Sequence, residues 1–76
     1  MRKIKVDTIK QRLNYEIDNS NLKKKEIASL VGITTSTLSD YKHTKKMPSL
    51  ETFANICLEL NLDANYVLGI RDFEDN

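Results

Sequence analysis

The chain has 76 residues, 39% hydrophobic and 30% charged, enough for one small domain that buries only about 60% of its unfolded surface. A single cysteine (Cys57), one histidine and two glycines exclude an internal disulfide and a cysteine-based zinc site, and leave no nucleophile–base set for catalysis, so no enzyme, metal or cofactor is expected. The net charge of +1 hides a split: residues 1–46 carry eleven Lys/Arg against five Asp/Glu, while residues 47–76 carry Arg71 against six acids, which suggests a polyanion-facing surface and a separate face with another task.

In chain order, residues 1–6 (MRKIKV) alternate charged and apolar types, as in a short strand or a basic N-terminal arm. A first helix is expected from an N-cap at Asp7 to about Asn19, with Ile9, Leu13 and Ile17 on one face. Asp18-Asn19-Ser20-Asn21 reads as a turn. A second helix covers about 24–31 with Ile27, Ala28 and Val31 inward, and Gly32 suits a C-terminal position of positive φ. Thr34 or Thr35 caps a third helix reaching His43, with Leu38 and Tyr41 inward. After the breaking loop Thr44–Pro48, Ser49 caps a fourth helix carrying Leu50, Phe53, Ala54, Cys57 and Leu60 inward. Asp63 caps a short fifth helix with Ala64, Val67 and Leu68, closed by Gly69. The organisation is then an arm (1–6), a five-helix all-α domain (7–69) and an acidic tail (70–76). No apolar stretch spans a membrane and no signal segment follows the basic start, so a cytoplasmic protein is expected.

The stretch Lys24–Tyr41 meets the needs of a helix-turn-helix. A small residue, Ala28, follows an inward Ile27 where two helices must approach, and apolar anchors recur at Val31, Ile33, Leu38 and Tyr41. These hold the second helix rigidly enough for its outer face to enter a DNA major groove.

On these residues the chain resembles the Cro and phage-repressor type of helix-turn-helix proteins, the lambda-repressor-like or XRE group. The match runs from Leu22 through Glu26-Ile27-Ala28, Val31-Gly32-Ile33, Ser36-Thr37-Leu38-Ser39, Lys45, Pro48-Ser49-Leu50 and Leu60 to Leu68. The resemblance implies that the third helix reads DNA, with Thr35, Ser36, Ser39 and Asp40 facing base edges, and that Lys45 and Lys46 touch the backbone. Thr and Ser donate or accept at any base, whereas Asp accepts from a cytosine amino group and otherwise repels phosphates. Lys23, Lys24 and Lys25 oppose the dipole of a helix start, at about 0.3–1 kcal/mol each, which fits a phosphate site; Lys42 joins the same set. Family members often pair an Arg late in the first helix with a Glu late in the recognition helix. The matching positions here are Ile17 and Lys42, so the pair is expected to be absent.

The implied function is a Cro-like, phage-type transcriptional repressor on a double-stranded operator. It would act as a homodimer through a C-terminal face containing Tyr66, Ile70 and Phe73, without a second, cleavable domain. The alternative is an antirepressor, in which the same fold uses Asp40 to bind and inactivate another repressor protein. Cys57 is expected to be a small core residue, Tyr41 a core ring, and His43 either a phosphate contact or an exposed helix-end residue.

Overall fold

The structure is a computed structural model, described over residues 3–71, and holds five helices and no strand among those residues. These are α1 (Val6–Asp18), α2 (Lys24–Val31), α3 (Thr35–His43), α4 (Leu50–Leu60) and α5 (Ala64–Val67). The all-α, five-helix expectation holds. Residues 3–5 precede α1 without regular structure. Met1, Arg2 and residues 72–76, with Phe73, lie outside the described part.

α1 begins earlier than its acid suggested. Lys5 is the N-cap, and its carbonyl accepts from the N–H groups of Thr8 and Ile9 at 3.1 and 3.3 Å. Asp7 instead lies in the first turn, where a carboxylate favours the positive end of the helix without capping it. Leu13 and Ile17 are buried and Ile9 packs beside them, while Val6 stays exposed.

The turn between α2 and α3 is built from backbone. Gly32 takes φ +77°, and the Ile33 N–H returns to the Ala28 carbonyl at 2.9 Å, the closing bond of a left-handed helix cap. Thr34 is the N-cap of α3, accepting from the Thr37 N–H at 3.0 Å.

Ser49 caps α4 through the Thr52 N–H at 3.1 Å. Its inward arc departs from the expected one. Phe53, Cys57 and Leu60 face in, but Ile56 is fully buried, while Ala54 is exposed and Leu50 is 86% exposed. The physical reason is rotational: the arc that buries 53, 56, 57 and 60 turns residue 54 outward. Leu50, as first residue, has no element over it. Asn61, at φ +54°, ends α4, and Asp63 caps α5 through the N–H groups of Asn65 and Tyr66.

Leu13, Ile17, Ile27, Val31, Leu38, Tyr41, Ile56 and Val67 form one buried cluster. α1 packs on α3 and α5, and α2 on α3 and α4, so α3 is held from behind by two helices and keeps one face free.

Candidate nucleic-acid interface

α3 divides cleanly. Leu38 and Tyr41 are 2% and 3% exposed on its inner side, and burial pushes the Tyr41 phenol up, keeping it neutral. Thr35, Ser36 and Ser39 are exposed, and Asp40 is half-buried. The spacing i, i+1, i+4, i+5 places all four on one outer arc. His43 is exposed one turn after Ser39 on the same arc. No ion pair among the described residues involves Asp40, so its carboxylate can accept from a ligand.

The six lysines do not form one surface. Lys23 and Lys25 line a shallow groove with Glu26, Ser29 and Leu30 along α2. Glu26 reaches back to the Lys23 backbone N–H at 2.9 Å, which supplies a first-turn acid and offsets part of the cost of the lysines. Lys24 turns the other way, to Asp18 Oδ1 at 2.9 Å, and Lys42 reaches Asp18 Oδ2 at 2.8 Å. Lys45 and Lys46 are exposed in the loop after α3.

Ile17 is buried in the core, so the family's pair has no charged partner at that position; a different pair stands beside it, with the acid at Asp18, the last residue of α1, and the base at Lys42 on α3. Lys24 and then Lys42, hydrogen-bonded to Asp18, hold its carboxyl below the usual carboxylate range. Asp18 had the appearance of a turn residue.

Two more residues of α1 order the interface and carried no functional reading in the sequence. The Asn14 amide donates to the carbonyls of Lys10 and Tyr41, both at 2.9 Å, tying α1 to the end of α3. The Lys10 ammonium donates to the Thr44 carbonyl and, at 3.4 Å, to that of Lys46, bracing the loop that carries Lys45. Residues 10, 14 and 18 recur every four positions and share one side of α1, a spacing that by itself is indistinguishable from an ordinary solvated face.

Elsewhere, the Arg12 guanidinium lies 4.4 Å from the centroid of the Tyr66 ring and donates to the Tyr66 carbonyl at 2.7 Å, locking α5 onto α1. Cys57 is 8% exposed; burial, aided by the Asp63 carboxylate, pushes its thiol up, as fits a core residue. No group of three or more metal-ligating side chains occurs among the described residues, and none of their helices is long and apolar enough to cross a membrane.

The solution structure of the SOS-response transcriptional repressor LexA from Eubacterium rectale shares this fold, with a TM-score of 0.72 at 18% identity, covering 92% of this chain and 72% of that one. No curated protein matches the chain. A model of the helix-turn-helix domain family matches residues 10–69. Most of the sequence lies within that match, and the chain belongs to the helix-turn-helix family, the XRE type of DNA-binding transcription regulators.

Proposed function

We propose that the protein is a sequence-specific, Cro-like repressor that inserts α3 into the major groove and sets lysines on the flanking phosphates. One observation carries the reading: α3 is pinned by Leu38 and Tyr41 on one side and presents Thr35, Ser36, Ser39 and Asp40 on the other. Exposed lysines follow its C-terminal end, at Lys45 and Lys46 in the loop. Thr35, Ser36 and Ser39 give a permissive readout through hydroxyls, and Asp40 adds preference for a cytosine amino group. Lys23, Lys25, Lys45 and Lys46 supply the sequence-independent attraction. A two-fold dimer through Tyr66, Ile70 and Phe73 would place two recognition helices on half-sites about one DNA turn apart.

The test is binding of labelled duplex at several salt concentrations. Affinity should fall steeply with salt, each phosphate contact contributing about 0.9 to the log–log slope. Lys25→Ala with Lys45→Ala should flatten the slope by about two contacts and weaken all sequences alike. An unchanged slope would remove both residues from the interface.

A further inference from the structure

Asp18 is the only point in the described structure where one side chain holds two of the candidate phosphate-binding lysines. Its two oxygens accept from Lys24, the first residue of α2, and from Lys42, in the last turn of α3, at 2.9 and 2.8 Å. Asp18 is itself the last residue of α1. Three helix ends thus converge on one carboxylate, and two ammonium groups that would repel each other are kept together by it. The arrangement is not buried: the side chains of Lys24 and Lys42 are 53% and 46% exposed, and that of Asp18 is 32% exposed. Each ammonium has three donors, so the ion pair with Asp18 leaves donors on both lysines facing solvent.

We propose that Asp18 is a positioning residue for DNA recognition: it fixes Lys24 and Lys42 relative to α3, so that the phosphates dock in one register when the helix enters the groove. The inference rests on the DNA-binding reading above. Flexible lysines give affinity without register, because an ammonium is a point charge that follows any phosphate. Two lysines tied to one carboxylate sit at fixed points on the start of α2 and the end of α3, and phosphate contacts at fixed points are what set the orientation of a recognition helix.

This role has a signature that simple stabilisation lacks. Asp18→Asn removes one negative charge beside the DNA and frees both lysines. Affinity for an arbitrary duplex should therefore rise. Discrimination between the best duplex and a scrambled one should fall, by about tenfold, the equivalent of one base pair. A loss of folded protein alone would lower both affinities together.

The experiment uses the whole chain. The wild-type protein selects its preferred duplex from a random pool. Wild type, Asp18→Asn, Lys24→Gln with Lys42→Gln, and the triple variant are then titrated with the selected and scrambled duplexes at fixed salt, with the folded fraction of each followed by circular dichroism. The expected result in Asp18→Asn is a rise in affinity for the scrambled duplex with about a tenfold fall in discrimination, and no further loss of discrimination when Asp18→Asn is added to the double lysine variant. Should Asp18→Asn fail to fold, Asp18→Glu takes its place: a carboxylate displaced by one methylene should change discrimination while the general affinity stays near wild type. Unchanged discrimination in a folded Asp18 variant, or a parallel fall of both affinities, overturns the proposal while leaving DNA binding intact. A wild-type protein that enriches no sequence defeats the DNA-binding reading itself, and this inference with it.

Discussion

Ala28 and Gly32 lie four residues apart at the turn between α2 and α3 and are small for different reasons. Ala28 is 2% exposed beside the fully buried Ile27, so its limit is space. A Cβ at Gly32 would meet nothing within 4 Å, yet φ is +77° there, so its limit is torsion. Ala28→Leu should cost about 1–3 kcal/mol by overpacking the contact between α2 and α3. Gly32→Ala should cost about 1–2 kcal/mol from the left-handed backbone alone, and Gly32→Asn less, because Asn tolerates that region better. Urea denaturation of the three variants checks the order. A Gly32→Asn protein less stable than Gly32→Ala would show that something other than torsion fixes the residue.

Between elements, the row Lys10–Asn14–Asp18 on α1 does the joining. Lys10 holds the loop after α3, Asn14 the Tyr41 carbonyl, and Asp18 the start of α2 and the end of α3. The apolar row of α1 was legible in the sequence because periodicity alone reveals an inward face. The polar row was not, because its partners are Lys24, Lys42 and the backbone carbonyls of Tyr41, Thr44 and Lys46, which only tertiary packing brings near. α4 shows the same limit: its stop, start and amphipathic character could be read, but the rotation that buries Ile56 and exposes Leu50 and Ala54 depends on where α2 presses against it. The outer arc of α3 was legible, since Leu38 and Tyr41 alone fix which side faces in. Titration tests the Asp18 junction. Lys24 from α2 and Lys42 from α3 lower the folded-state pKa of Asp18, so its contribution to stability is present above the ordinary carboxylate range and is lost as pH falls through the depressed one. Asp18→Asn should therefore be less stable than wild type at pH near 7, and the gap should close as the pH is lowered through the acid limb. Urea midpoints across that range measure it; a gap that widens toward acid would contradict the ion-pair account.

For the whole molecule, the charge split gives the basic half to α1–α3 and their loops, and the acidic half to α4, α5 and the tail. Asp40 stands against that division, an acid on the face expected to meet phosphates, with no ion-pair partner among the described residues. Two functions account for it. As a DNA reader, Asp40 accepts from a cytosine amino group, or it is a repulsion borne by the surrounding lysines. Asp40→Ala should then relax preference at one base pair or strengthen general binding. As the contact of an antirepressor, it meets an Arg or Lys on a second repressor, and truncation leaves that charge unpaired in a desolvated interface, at about 2–5 kcal/mol if the pair is buried. One substitution therefore moves binding in opposite directions. The measurement is the affinity of wild type and Asp40→Ala for the selected duplex and for any repressor encoded beside this protein, at one salt concentration. Less selective or tighter DNA binding, with no change toward the repressor, favours the Cro-like role, which the hydroxyl-lined face of α3 supports. Wild-type DNA affinity at the nonspecific level, together with a repressor complex abolished by Asp40→Ala, would instead make this fold a decoy for another protein's DNA-reading face.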